Sequence, residues 1–120
     1  METTVRHQER LQYAEVYISD VLELKEIFLR TQHTAMINDH FGIPFLLSKK
    51  KKRILSFASL TLGENKIGFK IFHTPEATES ERKAFGDKAG DYFKKNTTAN
   101  FRDPEQLKSS IIRMIEWLNF

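Results

Sequence analysis

Residues 54–72 constrain this chain more than any other stretch. From Ile54 to Leu62 the sequence is apolar or β-forming almost without interruption, and Ile67, Phe69 and Ile71 then alternate with Lys66, Gly68 and Lys70. Alternation with a period of two is the pattern of a strand with one buried face. Gly63-Glu64-Asn65 stands between the two runs and has hairpin-turn composition. A shorter apolar run, Phe45-Leu46-Leu47, precedes them, and the cations between it and Ile54 can form a further turn. The result is a three-stranded meander. Its apolar surface has to be covered by helices.

Three segments supply them. Asp20 can cap a helix, with Glu23 reaching back to the cap and Leu24, Ile27, Phe28, Thr31 and Ala35 forming its apolar stripe. This helix is expected to run to Met36 or Ile37. Phe41-Gly42-Ile43-Pro44 closes the region. Thr78 with Glu81 has capping-box spacing and opens a helix to about Lys95, with Phe85, Ala89, Tyr92 and Phe93 on its apolar face. Asp103-Pro104-Glu105-Gln106 is a third start, followed by Leu107, Ile111, Met114, Ile115 and Leu118. Residues 13–18 fit a first strand, and equally an N-terminal extension of the first helix. Residues 97–102 fit an edge strand. The expected architecture is therefore α/β (α+β): one domain over residues 1–120, with a mixed, mainly antiparallel sheet packed by three helices. A ferredoxin-like order with an added C-terminal helix accounts for the same elements.

Composition narrows the function classes. The chain has no cysteine, which removes disulfide scaffolds, thiolate metal sites and thiol nucleophiles. Residues 1–10 lack the apolar core of a signal peptide, and no apolar run approaches the ~20 residues that span a bilayer. These features fit a cytoplasmic protein with no membrane partner. Net charge is +3, yet Lys49, Lys50, Lys51, Lys52 and Arg53 alone supply five positives; without them 14 basic residues face 16 acidic ones. The basic character is one spot. It suits either a solvated hairpin tip or contact with a phosphate-bearing ligand. No aromatic residues are interleaved with it for base stacking, which argues against nucleic acid.

Other polar residues have two readings each. His73 ends the predicted strand just before Pro75, where an imidazole can act as a catalytic base or sit as an ordinary surface group. His33, Asp39 and His40 lack a third and fourth ligand of evident geometry, so no metal is expected. Gly86 and Gly90 lie inside a predicted helix, at a cost of ~1 kcal/mol each relative to Ala. Close packing of that helix on the sheet, or a nearby phosphate, would account for them; against the phosphate, Glu76, Glu79 and Glu81 crowd the approach to this helix and would repel an anion.

The element order, with local sequence at three places, resembles the GNAT-type N-acetyltransferases. Residues 13–18 followed by 20–30 resemble that family's opening strand and helix. Phe45-Leu46-Leu47, then Arg53-Ile54-Leu55-Ser56-Phe57-Ala58-Ser59-Leu60, resemble the strands leading to its long central one. Residues 111–120 resemble its helix ending in an apolar turn. The resemblance implies acetyl-CoA or another acyl-CoA as cofactor and direct attack of an amine on the thioester. It implies His73 as the strand-end base, and a cleft between strands 54–62 and 67–72 facing the Thr78 helix start. It places cofactor contacts at Lys83 and Gly86, the nearest match to the family's pyrophosphate loop. Where the family often carries a tyrosine acid, this chain has Ile115.

Two further functions fit the residues: a homo-oligomeric assembly module using a sheet edge or the last helix, and an anion or nucleic-acid binder using Lys49, Lys50, Lys51, Lys52 and Arg53. The basic turn is expected at an edge of the domain, away from the Thr78 helix start.

Overall fold

A computed structural model describes residues 11–119. The expected absence of a signal peptide at residues 1–10, and Phe120 of the family-like ending, lie outside the described residues. Four strands, β1 (Gln12–Glu15), β2 (Ile43–Lys50), β3 (Arg53–Gly63) and β4 (Lys66–His73), form an antiparallel sheet in sequence order. Helix α1 (Val21–Thr31) connects β1 to β2. Helices α2 (Glu79–Lys95), α3 (Ala99–Arg102) and α4 (Pro104–Leu118) follow β4. Among the described residues no strand follows α2, so the order is not ferredoxin-like. The segment expected as an edge strand at 97–102 is instead the short helix α3.

Both hairpins are tight. Lys51 and Lys52 have φ of 54° and 68°, and Glu64 and Asn65 have 51° and 67°. Two consecutive left-handed residues match the right-handed twist of the flanking strands. Asn65 adopts this region readily; lysine and glutamate do so at a cost. Two bulges bend the centre of the sheet. Phe45 is the extra residue in β2, and Leu55 the extra residue in β3, because Ser48 faces Ser56 while Lys49 faces Ile54.

Helix α1 stops short of Met36. His33, at φ 54°, takes the left-handed position past the helix end, and the Thr34 N–H donates back to the Leu29 carbonyl at 3.2 Å. This is a Schellman ending, usually marked by glycine and here built on histidine. Asp20 has helical backbone and does not cap α1. Its carboxylate accepts from the Tyr17 N–H at 2.9 Å and closes the 3-10 turn Ile18–Asp20 instead. The capping box at Thr78 and Glu81 forms as expected, with Thr78 N–H to Glu81 at 2.9 Å and Glu81 N–H to Thr78 at 3.2 Å.

The sheet separates two apolar clusters. On one face Val21, Leu24, Ile27 and Phe28 of α1 pack on Leu47, Phe57 and Phe72. Phe85 and Ala89 of α2 cover Leu46, Ala58 and Leu60 in the other cluster. Helix α4 belongs to both, with Leu107 and Ile111 in the second and Leu118 in the first. The Asn119 side-chain amide pairs with the Ile37 backbone at 2.8 and 2.7 Å, tying the segment after α1 to the end of α4.

Candidate functional site

One end of the sheet collects most of the chemistry that the sequence singles out. The turn between β2 and β3, the last residue of β4, the loop 74–78 and the first turn of α2 all meet there. The connecting contact is Lys50 Nζ to Glu81 Oε2 at 2.8 Å. The basic turn is therefore docked against the Thr78 helix start, not held away from it. The sequence places these groups thirty-one residues apart, and the meander folds them together.

His73 sits directly opposite Ser56 across β3 and β4, and its Nδ1 lies 2.6 Å from the Ser56 hydroxyl. The row continues through Ser48 to Tyr13 on the neighbouring strands. The Phe85 ring covers it, 6.3 Å from Tyr13 and 6.5 Å from His73. Burial lowers the His73 pKa, and the Arg82 guanidinium lowers it further. The imidazole is neutral at pH 7 and can accept a proton. Ser56 is 1% exposed, so it holds the ring and does not meet a solute itself.

A pH dependence of stability follows. The native state resists protonation of His73, whereas the unfolded chain takes up that proton near pH 6.5. Unfolding thus binds more protons below pH 6.5, and the His73 contribution to stability is lost as pH falls from there toward its lowered native pKa. Denaturant midpoints at pH 7.5 and 5.5 should converge in a His73→Gln variant relative to the parent chain. Equal pH sensitivity in both would refute a buried, neutral His73.

The cations divide around two adjoining hollows. Lys50, Lys51, Arg53, Leu55 and Glu76 line one of about 220 Å³. The other, also about 220 Å³, lies between α1 and the strand ends, with Arg30, Lys52 and Arg53 facing Glu23, Glu26 and Glu76. The Glu76 carboxyl is held below its ordinary range first by its own backbone N–H, then by the nearby Thr74 hydroxyl, with Arg53 and Arg30 adding to this. The hydroxyl lies close enough to favour the carboxylate but not in hydrogen-bond geometry, so it has no full partner. Glu81 is likewise lowered, chiefly by Lys50. The acidic approach to α2 is thus partly neutralised by the basic turn. Arg82 is occupied elsewhere, donating to the Ala77 and Thr74 carbonyls at 3.0 and 3.3 Å and fixing the loop.

The remaining sequence candidates lie apart. Lys49 is half-buried and pairs with Gln12 and Ile54 in the sheet. Lys83 is exposed on α2, and Gly86 lies in the interior of that helix, after its first turn. The amide of Gly86 is engaged within the helix. Close packing does not explain the two helical glycines: a Cβ on Gly86 would meet only Ile71 at 3.9 Å, and one on Gly90 nothing within 4 Å. Strands β3 and β4 pair without a break from Ser56–His73 to Gly63–Lys66, so there is no cleft between them. His33 and His40 do not share a helical face because α1 has ended, and His40 contacts Lys70 at 2.6 Å. Among the described residues no three His, Cys, Asp or Glu side chains are grouped to hold a metal. No helix among them is long and apolar enough to cross a membrane.

Sequence reasoning did not single out Ser56, Thr74 or Arg30, and it read Glu76 only as a carboxylate that repels anions. Ser56 carried a signal, since it interrupts an apolar strand. Arg30 and Thr74 carried none, because their approach depends on how α1 lies over the sheet. A third, larger hollow of about 510 Å³ is lined by Phe45, Tyr92, Asn96, Phe101 and Gln106 and contains no cation. Its Tyr92 hydroxyl donates to Glu15 at 2.6 Å, and burial followed by this bond pushes the Tyr92 pKa up to about 12.

No family model, curated protein or solved structure matches this chain.

Proposed function

We propose that this protein is a binding domain for a small phosphate- or carboxylate-bearing ligand, held at the basic end of its sheet. The carrying observation is the docking of the Lys50–Arg53 turn on the first turn of α2 through Lys50 and Glu81. That contact brings the remaining cations of the turn beside the start of a seventeen-residue helix, whose dipole favours anions. The left-handed Lys51 and Lys52 add support. Asn-Gly would form this turn more cheaply, and retained backbone strain is a pointer to function.

Acyl-CoA is the phosphorylated ligand that the GNAT resemblance implies, and it is the natural first probe. Under this reading Lys51, Lys52 and Arg53 meet the phosphates. Even pairing of β3 with β4 favours binding over acyl transfer, because the cleft implied by the resemblance is absent.

The test is calorimetry with acetyl-CoA, coenzyme A and inorganic pyrophosphate, on the parent chain and on a Lys51→Gln/Lys52→Gln/Arg53→Gln variant. The expected result is salt-dependent binding that the variant loses by at least about ten-fold. Unchanged affinity in the variant, or no heat with any of the three ligands at millimolar concentration, would overturn the reading.

A further inference from the structure

The hollow between α1 and the strand ends differs in kind from an anion site. Glu23, Glu26 and Arg30 lie at helical spacing on one side of α1 and face Lys52 and Arg53 of the turn and Glu76 of the loop. Three carboxylates and three cations line one space. Among the described residues none of these six closes an ion pair with another within 4.0 Å; the one such pair is Lys50–Glu81. Opposite charges facing each other across a gap are what a ligand carrying both signs would bridge. A simple anion entering here meets three carboxylates, and a simple cation meets three positive groups.

Two further observations concern the interior of the space. Its floor is apolar, formed by Ile27, Ile54 and Leu55. Thr74 lines it, is 3% exposed, and has a hydroxyl without a hydrogen-bond partner. No water-sized probe reaches that oxygen, so Thr74 shapes the wall and does not meet a solute itself. The volume sets the size. A cavity of about 150 Å³ holds a benzene molecule, so about 220 Å³ admits something slightly larger.

We infer that this hollow binds a small zwitterion of α-amino-acid type with a short apolar side chain. Its carboxylate lies toward Arg53 and Lys52, its ammonium toward Glu23 and Glu26, and its side chain on Ile27, Ile54 and Leu55. This site goes beyond the anion site proposed above. The two share Lys52, Arg53 and Glu76, whereas Glu23, Glu26 and Arg30 of α1 line this site alone.

The experiment is an amide NMR titration of the parent chain with L-valine, L-leucine and L-methionine, followed at Ile27, Leu55 and Thr74. Leucinamide, which lacks the carboxylate, and 4-methylpentanoate, which lacks the ammonium, are the controls. At least one amino acid should shift these amides saturably, with both controls at least about ten-fold weaker. A Glu23→Gln/Glu26→Gln variant should weaken the amino acid by a similar factor while leaving 4-methylpentanoate and pyrophosphate binding no weaker. Both residues are exposed, so the fold should tolerate the change. No shift with any of the three amino acids, or 4-methylpentanoate binding as well as leucine, would overturn the inference. Failure of pyrophosphate to bind the parent chain, with an amino acid still shifting these amides, would count against the anion site only.

Discussion

Replacing Gly42 with alanine should lower the melting temperature by roughly 8–20 °C. Gly42 has φ of +61° just before β2 begins, and an added Cβ would stand 2.0 Å from the Leu60 carbonyl oxygen and 3.0 Å from its carbon. The obstacle is backbone of the central strand, so no side chain can rotate away. Left-handed backbone costs an L-residue about 1–2 kcal/mol, and overpacking adds about 1–3 kcal/mol. Against a total stability of roughly 5–15 kcal/mol, the sum is a large share. Gly90→Ala is the internal control. Its Cβ would meet nothing within 4 Å, so the helix should gain ~1 kcal/mol. The two glycine-to-alanine changes should therefore move the melting curve in opposite directions. A Gly42→Ala variant that melts with the parent chain would refute the close approach to Leu60.

The second large effect is expected at Phe57. The ring is fully buried, stacks on Phe72 at 5.0 Å and leans on Phe41 at 5.9 Å, and Phe28 meets both of those rings at 5.3 Å. These four rings join the central strands to α1 and to the segment after it. Phe57→Ala removes the centre of that group and leaves a cavity that the stiff sheet cannot close. The expected loss is about 3–5 kcal/mol. In urea this shifts the midpoint downward by roughly 2 M. Trp117→Ala, at a side chain 49% exposed, should shift it far less. Comparable shifts for the two would place the core elsewhere.

Both effects bear on what the sequence discloses. The central hairpin was legible because its alternation and turn chemistry are local, and the starts of α2 and α4 because Thr78-Glu81 and Asp103-Pro104 are local capping signals. The early end of α1 was not legible, since its Schellman turn uses His33 where glycine is the usual mark. Asp20 misled because the same carboxylate can close a 3-10 turn or cap the following helix, and only the path of Tyr17 decides. The segment at 97–102 carries strand-compatible residues, yet the following Asp103-Pro104 start lets Phe101 join the α2-side cluster from a short helix.

The candidate site was half legible. The basic run was plain, and so was its position at a turn. Its neighbours were not. Whether that turn points away from α2 or onto it depends on the loop 74–78, which Arg82 fixes through the Ala77 and Thr74 carbonyls. Nothing local in the sequence encodes that long-range closure. Ser56 and His73 became a pair only once the β3–β4 register was known, since a slip of one residue would put them on opposite faces.

The most direct measurement of the central claim is an amide NMR map of the protein titrated with acetyl-CoA at low salt. The account predicts saturable shifts confined to Lys51–Arg53, to Glu76 and to the first turn of α2 at Glu79–Arg82. These should fade as salt is raised. Shifts centred on the larger hollow around Tyr92, Asn96 and Phe101, or no shifts at saturating ligand, would contradict it.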